Sequence, residues 1–405
     1  MKILQLCPRI PFPPVDGGTI GMYNLSTSLL ELGAEVKVLA FNTKKHFISQ
    51  EKINKKYSDS HNLEWVYLDN SLHPVKALMN IFSNKSYNIT RFYSKEYSEQ
   101  LRKILTEETF DIVQIDYLTM TLYIDDIRAV SDAKIVLRAH NVEHRIWKRL
   151  AAEEKNLLKK WYLKLLAKQL LTYEKKVLNN IDALVTLTEE ETAIFKEMGN
   201  SVPVCIAPTC FSVDEMPQVH KQESFSLFHL GAMDWRPNQE GMEWFLSQVW
   251  PRIMERFPEI KLYIAGNNMP ERFFSFNNEN CKVEGRVPDA KEYMQQHSVM
   301  VVPLLAGSGI RVKIVEGMAL GKVIISTTQG AEGLHYKHMQ NIIIADTLQQ
   351  MVDAVDLCYS NPELLKEIGN NARALAENYY DMRKVGKQVF QFYLRISEKA
   401  MAYKA

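Results

Sequence analysis

Short apolar runs alternate with longer stretches of helical periodicity along the first half of the chain. A run of four to eight apolar residues is typical of a buried strand, and i, i+3, i+4 spacing is typical of an amphipathic helix. Strands are predicted at residues 3–7, 34–41, 111–115, 134–137 and 183–187. One helix is predicted at residues 19–32, and Thr188 and Glu191 form a capping box that starts another. Strands that alternate with helices favour a parallel, doubly wound sheet.

The same pattern restarts near residue 225. Strands are predicted at residues 225–230, 261–265, 299–303 and 323–326, and helices at 240–257, 310–320 and 347–359. Residues 201–217 carry three prolines and little periodicity, so they are predicted to be a linker. A last helix is predicted at residues 381–401.

The fold class is therefore α/β, with two Rossmann-like doubly wound domains. We assign residues 1–207 to an N-terminal domain, 208–380 to a C-terminal domain and 381–405 to a C-terminal helix that packs back on the N-terminal domain. Ligands bind at the carboxyl ends of parallel strands, so the two domains are expected to face a central cleft.

Composition and charge are those of a soluble globular protein, with 46% apolar and 24% charged residues among 405. The net charge of +1 gives no general attraction for nucleic acid. No apolar stretch reaches 18 residues, and the short run after Lys2 stops at Pro8, before a signal-peptide core is complete. We therefore expect a cytoplasmic protein.

The five cysteines are odd in number and show neither C-x-x-C nor His–Cys ligand spacing. Buried thiols in a reducing compartment are the favoured interpretation, with a Cys205–Cys210 redox pair as the weaker alternative. No metal site is predicted.

The first candidate site is the loop at residues 13–19, between the first strand and its helix. Gly17 and Gly18 let backbone N–H groups approach an anion there, and the helix dipole favours negative charge. The alternative is a tight turn that needs a positive φ. The loop is not G-x-G-x-x-G, and the second strand ends without an acidic residue for a ribose, so a dinucleotide oxidoreductase is disfavoured.

The second candidate is His140, which directly follows the strand at residues 134–137. A side chain at the carboxyl end of an internal strand faces the expected cleft and can reach a ligand. A lone histidine is also common as a structural residue. The neighbouring Arg138, Asn141 and Glu143 favour the functional interpretation.

The third candidate is the segment at residues 303–321, where a strand ends in a small-residue loop and a helix is predicted to begin near Gly309. Arg311 and Lys313 fall in its first turn, where cations oppose the helix dipole, so placing them there costs stability unless an anion binds. Glu316 lies one turn deeper and can accept hydrogen bonds from ribose hydroxyls. The alternative is a solvated basic turn.

Two further segments frame the expected cleft. Residues 231–238, with Asn238, follow the first strand of the second half. Residues 327–333, with Glu332, follow the strand that comes after the helix predicted at residues 310–320. Both segments are also typical of ordinary βα loops.

Together these segments resemble the retaining glycosyltransferases of family 4, also called group 1, which have the GT-B fold. The resemblance spans nearly the whole chain and rests on Gly17-Gly18 and on residues 140–143, 231–238, 307–321 and 330–334. It implies a nucleotide-sugar donor on the C-terminal half, a glycan or lipid-linked acceptor on the N-terminal half, and a role in polysaccharide or glycoconjugate synthesis.

The resemblance also implies residue roles. Glu316 matches the second glutamate of the family's E-x7-E motif and should hold the donor ribose. His140 matches the histidine near the donor sugar and its phosphate, and Gly18 matches the glycine loop against the diphosphate. Gly309 and Ile310 should offer backbone N–H groups to donor oxygens.

The chain departs from the family pattern at both donor motifs. Ser308 replaces the first glutamate of E-x7-E, the residue of the family that makes the usual sugar-hydroxyl contact. Ala232 and Pro237 stand where the family has Arg and Lys. Arg311 and Lys313 are the substitutes for that charge, so S-G-x-R-x-K-x-x-E looks like a variant of the family. Without Asp-x-Asp ligands, we expect transfer without a metal or other cofactor.

Two alternative functions remain open. A sugar-nucleotide epimerase of GT-B fold would turn over the donor without an acceptor. A non-catalytic sugar-nucleotide-binding protein would bind the donor without turnover.

Residues 145–176 carry ten Lys or Arg against three Glu, a local charge of 10 − 3 = +7, with Trp161 and several leucines interleaved. A helix of this kind can lie on an anionic bilayer. The alternative, a surface helix that covers the N-terminal core, is favoured by base rate. We predict peripheral contact of this helix with the inner face of the plasma membrane.

Overall fold

The computed structural model describes residues 1–53, 55–71, 86–213, 224–307 and 309–402. The chain forms two compact units. The first unit is Met1–Cys210 together with Met382–Ala405, and the second unit is Phe211–Asp381. The sequence places these boundaries at residues 207 and 380. Each unit is built on one parallel sheet, so the doubly wound α/β architecture is confirmed.

The sheet of the first unit is parallel throughout, in the order β3-β2-β1-β4-β5-β6-β7. Successive side chains of a strand point to opposite faces, so Leu4 and Leu6 enter one apolar core and Ile3 enters the other. The strand order reverses between β1 and β4, which places the loops after these two strands side by side. The strands are β1 Lys2–Cys7, β2 Glu35–Thr43, β3 Leu63–Leu68, β4 Ile112–Asp116, β5 Lys134–Arg138, β6 Ala183–Thr186 and β7 Val204–Ile206.

Helices connect the strands of the first unit and pack on its sheet. Short 3-10 helices occur at Lys44–His46, Gln50–Lys52 and Leu118–Tyr123. The described α-helices of the N-terminal segment are α1 Gly17–Glu31, α2 Lys55–Ser60, α3 Tyr87–Thr90, α4 Lys95–Glu107, α5 Ile124–Val130, α6 Glu143–Glu153, α7 Leu157–Leu178 and α8 Glu189–Glu197.

The last helix of the chain, Met382–Ala402, belongs to the first unit and packs against α1. Ser28 Oγ donates a hydrogen bond to the Met382 carbonyl at 2.8 Å. A Cβ at Gly386 would lie only 1.9 Å from Ser28 Oγ, so the helices approach more closely than a side chain at residue 386 allows. Apolar residues of this helix, such as Val389 and Tyr393, complete the core on the α1 face of the sheet.

The sheet of the second unit is also parallel, in the order β10-β9-β8-β11-β12-β13. Its order reverses between β8 and β11, so the loops after these strands are neighbours. The strands are β8 Ser226–Leu230, β9 Lys261–Ala265, β10 Cys281–Gly285, β11 Val299–Val302, β12 Val323–Ser326 and β13 Ile343–Ile344. The helices are α9 Arg236–Trp244, α10 Trp250–Arg256, α11 Ala290–Gln295, α12 Val312–Ala319, α13 Leu348–Ser360 and α14 Pro362–Tyr379, so the last helix of the chain, Met382–Ala402, is α15.

Several elements differ from those predicted. The predicted linker at residues 201–217 was wrong in part, because β7 lies within it and pairs with β6. The helix predicted at residues 240–257 begins at Arg236 and passes through a π-helical turn at Phe245–Val249 between α9 and α10. The strands β3, β10 and β13 were missed.

No described helix is both long and apolar enough to cross a membrane. All five cysteines are buried, as predicted, and none of them, Cys205 and Cys210 included, forms a disulfide.

Candidate active site

Helix α1 begins with the glycine pair. The sequence placed Gly17 and Gly18 in a loop before a helix from Thr19, and this was wrong because α1 starts at Gly17. Asp16 is the N-cap, and its Oδ1 accepts hydrogen bonds from the N–H groups of Gly18 and Thr19, both at 3.1 Å. This carboxylate satisfies N–H groups that lack an acceptor inside the helix, which explains the earlier start.

Gly18 lies beneath two polar side chains. A Cβ at residue 18 would lie 2.2 Å from Tyr117 Oη and 3.0 Å from Arg9 Nη2. Arg9 also forms an ion pair with Asp16. The glycine is therefore needed for space, and a cation that the sequence analysis did not select lies at the start of α1.

His140 follows β5 and contacts the residues that end β4. Its Nε2 lies 2.7 Å from Asp116 Oδ1. Its ring stacks on Tyr117 with centroids 3.9 Å apart and planes within 3° of parallel. Tyr117 Oη also lies next to Gly18. The structure therefore brings two of the predicted site residues, Gly18 and His140, together around Tyr117. We call this group the histidine cluster: Arg9, Asp16, Gly17, Gly18, Asp116, Tyr117, Arg138 and His140.

The protonation states in the histidine cluster follow from burial and charge. Burial opposes the charge of Asp116, but the hydrogen bond from His140 and the positive charge of Arg138 outweigh it and lower the pKa of Asp116. Burial, reinforced by Arg138, lowers the pKa of His140 in spite of the aspartate. At neutral pH the pair is an ionised carboxylate and a neutral imidazole. An ionised carboxylate can only accept, so the His140 Nε2 carries the ring proton.

Helix α6, which follows His140, begins over a buried carboxylate. Glu174 of α7 accepts hydrogen bonds from the backbone N–H groups of Glu143 at 2.8 Å and His144 at 3.3 Å. Burial, followed by the neighbouring charge of Glu174, raises the pKa of Glu143 to about 7. His140, Asn141 and both glutamates line one small cavity. The segment after His140 is therefore held by the carboxylate of Glu174.

In the second unit, helix α12 begins later than predicted. Arg311 is its N-cap, so Gly309 and Ile310 lie in the preceding loop and the helix start predicted near Gly309 was wrong. Gly307 and Gly309 have φ angles of 121° and 85°, in the left-handed region that favours glycine and interrupts a helix. Ser308, which the sequence assigned to the donor, lies outside the described residues.

Arg311 lies along this loop and against an indole. Its guanidinium carbon is 4.9 Å from the ring centroid of Trp235, and its Nη1 donates a hydrogen bond to the Gly309 carbonyl at 2.6 Å. A Cβ at Gly307 would lie 2.7 Å from Arg311 Nη2. The missing side chain at Gly307 therefore leaves room for the arginine beside the helix start.

Lys313 is paired with Glu316, one turn further along α12. Its Nζ lies 2.6 Å from Glu316 Oε2, and the glutamate is buried. From the sequence, Arg311 and Lys313 are predicted to be cations that only a bound anion would compensate. The structure adds a partner for Lys313 from within the helix.

Asn238 and Glu332 are held by the loops around them. The side-chain amide of Asn238 donates to the Ala232 carbonyl at 2.9 Å and braces the loop after β8. Gln329 Nε2 donates to the Gly307 carbonyl and to Glu332 Oε2, each at 2.8 Å. The loops after β11 and β12 are thus tied together. We call the second group the glycine-loop cluster: Trp235, Gly307, Gly309, Arg311, Lys313, Glu316, Gln329 and Glu332.

Six residues of these clusters were not selected from the sequence. Asp116 directly follows a predicted strand, so its position at a carboxyl end was a usable signal. Tyr117 adopts a φ of 69°, which no sequence pattern indicates. Arg9, Asp16, Trp235 and Gln329 lay in or beside the candidate segments but had no spacing that marked them. Among the described residues, no group of three or more His, Cys, Asp or Glu side chains could hold a metal ion.

Two glycosyltransferase family models match the chain. The model described as Glycosyltransferase Family 4 matches residues 15–215, and the model described as Glycosyl transferases group 1 matches residues 224–361. The first match includes His140 and the start of α1, and the second includes the whole glycine-loop cluster.

Curated relatives match over most of their length. A 44.6 kDa protein of Klebsiella pneumoniae, described as uncharacterized and in the cps region, is 24% identical, with 96% of this chain and 99% of the relative covered. A Haemophilus influenzae protein described as an uncharacterized glycosyltransferase is 22% identical, with 88% and 90% covered.

Solved structures match in fold. Sucrose-phosphate synthase from Thermosynechococcus elongatus superimposes with a TM-score of 0.70 at 14% identity and covers 98% of this chain and 99% of its own. Anabaena HepE in complex with UDP has a TM-score of 0.64 at 12% identity, with 97% and 99% covered. With one family model on each unit and these neighbours in fold, the chain is a glycosyltransferase of the GT-B fold.

Proposed function

We propose that this glycosyltransferase moves a hexosyl or related sugar from a nucleoside-diphosphate sugar to a glycan or lipid-linked acceptor, with retention of anomeric configuration. The observation that carries the proposal is the start of α12, where Arg311 and Lys313 follow a glycine loop. HepE, a neighbour in fold, is described in complex with UDP and with UDP-glucose. The relative from a cps region supports a role in polysaccharide synthesis.

The donor diphosphate is assigned to the glycine-loop cluster. A helix start offers N–H groups that lack intrahelical acceptors, and the dipole favours an anion there. Arg311 and Lys313 add two cations beside these groups, and Gly309 and Ile310 add loop amides. Glu316 is assigned to the ribose, and its ion pair with Lys313 orients the carboxylate while leaving a second oxygen to accept a hydroxyl.

Asn238 and Glu332 contribute to donor binding by shaping the loops around the diphosphate. Ser308 is assigned to donor binding as well. The leaving diphosphate develops negative charge, which fixed cations stabilise without reorganisation. We therefore assign the stabilisation to Arg311 and Lys313 and propose that transfer needs no metal ion.

In the first unit, His140 is assigned to the donor sugar and its phosphate. The Gly18 N–H is already bound by Asp16. The contribution of Gly17 and Gly18 is therefore the close approach that their lack of side chains allows. Arg9, which lies over Gly18, is the group in the histidine cluster that attracts an anion.

The test measures the affinity of the protein for UDP, GDP, ADP and dTDP by calorimetry, with and without EDTA. Arg311→Ala and Lys313→Ala should each weaken the binding of the preferred diphosphate by about 10- to 100-fold, because each removes a charge-assisted contact. The chelator should leave the affinity unchanged.

Arg252→Ala is the matched control, because Arg252 and Glu255 also form an i,i+3 pair on a helix of the second unit. It should bind as the unaltered protein does. Equal affinities in all three variants would refute the assignment of the diphosphate to α12.

We also propose that the hairpin of α6 and α7 contacts an anionic lipid surface. The single helix predicted at residues 145–176 was wrong, because the structure has two packed helices there. The second half of α7 covers the core, with Leu170 and Val177 buried. Its first half exposes Leu157 and Leu158 at 80% and 82%, more than any other large apolar side chain that the structure describes.

The segment that contains these apolar residues, residues 145–176, is strongly basic. The cations of the segment are Arg145, Lys148, Arg149, Lys155, Lys159, Lys160, Lys164, Lys168, Lys175 and Lys176. Trp161 is 57% exposed beside the two leucines. Apolar side chains enter the headgroup region while neighbouring cations attract anionic lipid, so the pattern fits peripheral attachment and a lipid-linked acceptor.

A further inference from the structure

The carboxylate of Asp116 is the centre of a buried hydrogen-bond network. The residue ends β4 and has no exposed surface. Its Oδ2 accepts from Gln5 Nε2 and from Gln114 Nε2, both at 2.8 Å, and its Oδ1 lies 2.7 Å from His140 Nε2. Arg138 Nη1 approaches the same Oδ1 only to 3.5 Å. Asp116 thus contacts the histidine and two glutamines at hydrogen-bond distance, whereas Arg138 lies further away.

The network also reaches the last helix of the chain. Tyr393 of α15 donates from its Oη to Gln114 Oε1 at 2.7 Å. This bond leaves the Gln114 amide group free to donate, and it donates to Asp116. A continuous path of hydrogen bonds therefore runs from Tyr393 through Gln114 and Asp116 to His140.

Three contacts limit what His140 can do. The aspartate fixes Nε2 as the protonated nitrogen, the stacked ring of Tyr117 fixes the imidazole plane, and the buried strand end fixes the backbone. In a neutral imidazole with the proton on Nε2, Nδ1 carries a lone pair and accepts a hydrogen bond. Among the described residues, no hydrogen-bond partner occupies Nδ1. A hydroxyl group is a donor that would suit it.

We propose that Asp116 is the positioning residue of His140, and that it holds the imidazole in the tautomer whose Nδ1 accepts a hydrogen bond from a hydroxyl of the donor sugar. Tyr393 and Gln114 orient the carboxylate, so α15 takes part in the same arrangement. The role of Nδ1 rests on the proposed function, whereas the tautomer does not. The hydrogen bond between Asp116 Oδ1 and His140 Nε2 and the stacked ring of Tyr117 are the contacts that carry this role.

The tautomer is tested without any substrate. Protein labelled with 15N-histidine reports the protonated nitrogen of each ring from its nitrogen chemical shifts, and His140→Ala assigns the signal. We expect the unaltered protein at neutral pH to carry the His140 proton on Nε2. A proton on Nδ1 would overturn the proposal.

The catalytic consequence is tested by a double-mutant cycle of Asp116→Asn and His140→Ala. The readout is release of nucleoside diphosphate from UDP-, GDP-, ADP- and dTDP-sugars. Asp116→Asn should lower kcat by at least about 30-fold with little change in diphosphate affinity. The two glutamine donors hold the oxygen of the new side chain, so its NH2 group faces Nε2 and favours the tautomer with the proton on Nδ1. In the His140→Ala background the same change should have less than about a 2-fold effect, since no ring is left to orient.

Asp182→Asn controls for lost stability, because Asp182 likewise accepts a hydrogen bond from a strand residue, the Ile135 N–H, and lies beside an arginine, Arg128, without contact to His140. It should keep the unaltered kcat. Tyr393→Phe should lower kcat less than Asp116→Asn does. An Asp116→Asn loss of equal size in both backgrounds would refute the positioning role. If the unaltered protein bound none of the diphosphates, the proposed function would be refuted, but the tautomer result would still stand.

Discussion

At the scale of single residues, one carboxyl group in the first unit responds to pH near neutrality. Burial and the charge of Glu174 raise the pKa of Glu143 to about 7 from an ordinary 4.5. The folded protein thus holds this proton more tightly than the unfolded chain does. Between pH 4.5 and 7 the free energy of unfolding should therefore fall as pH rises, and it should level off above pH 7.

Glu143→Gln should remove this dependence, because an amide stays neutral. We expect the variant to match the unaltered protein near pH 4.5 and to exceed it at pH 8 by up to about 3 kcal/mol. Urea titrations at both pH values measure the difference. Glu189→Gln is the matched control, since Glu189 is also the first residue of a helix but is exposed. A variant less stable than the unaltered protein at pH 8 would contradict the argument.

The residues that a sequence marks are those whose chemistry is unusual at their own position. Arg311 and Lys313 stood out because cations are unfavourable at a helix start, and His140 stood out because it follows an internal strand. Asp116 and Tyr117 gain their importance from contacts with His140, which is more than twenty positions away, so their own neighbours in sequence carry no sign of it. The roles assigned to the predicted residues remain predictions.

At the scale of elements, the buried central strands were predictable and the outer ones were not. The strands β8, β9, β11 and β12 are near-continuous apolar runs because helices cover both of their faces. In contrast, β10 alternates buried and exposed residues at the edge of its sheet, and β13 has only two residues. Short or alternating segments give weak signals, so the linker prediction absorbed β7 in the same way.

The hairpin of α6 and α7 carries a prediction that belongs to an element. Leu157→Ser with Leu158→Ser should lower co-sedimentation with anionic phosphatidylglycerol vesicles by about 10-fold or more, because each exposed leucine that enters the bilayer contributes about 1.5–3 kcal/mol. The same variant should keep its thermal stability, since both side chains are largely exposed. Binding by the unaltered protein should also weaken as salt rises.

Two comparisons isolate the hairpin. Phe47→Ser removes an apolar side chain that is 60% exposed elsewhere in the first unit, and it should leave vesicle binding unchanged. Neutral phosphatidylcholine vesicles should bind the unaltered protein weakly. Equal binding to both kinds of vesicle, or none to either, would show that the hairpin serves only as a cover for the core.

At the scale of the whole molecule, the first unit depends on a helix that lies far from it in sequence. Six apolar residues of α15 are buried on the α1 face of the sheet: Met382, Val385, Val389, Phe392, Tyr393 and Ile396. At roughly 1.5–3 kcal/mol for each buried side chain, their loss is comparable with the entire stability of a domain. A chain that ends at residue 381 should therefore fail to fold its first unit.

Limited proteolysis checks this expectation. In the truncated chain, residues 1–210 should be digested rapidly while a fragment near Phe211–Asp381 persists. A chain that ends at residue 397 keeps all six apolar residues and should resist digestion as the full chain does. Equal resistance of the two truncated chains would contradict the proposed dependence.

The split of the first unit also sets an order of events during translation. The second unit is continuous, so all of its residues leave the ribosome before α15 does. At roughly 5–20 residues per second, the intervening segment takes roughly 10–30 s to synthesise. Throughout that interval the apolar surface of α1 and its sheet has no helix to cover it. We therefore expect the nascent chain to present a binding site for chaperones until its last helix emerges. Although its N-terminal residues are synthesised first, the first unit is the last of the two to be complete.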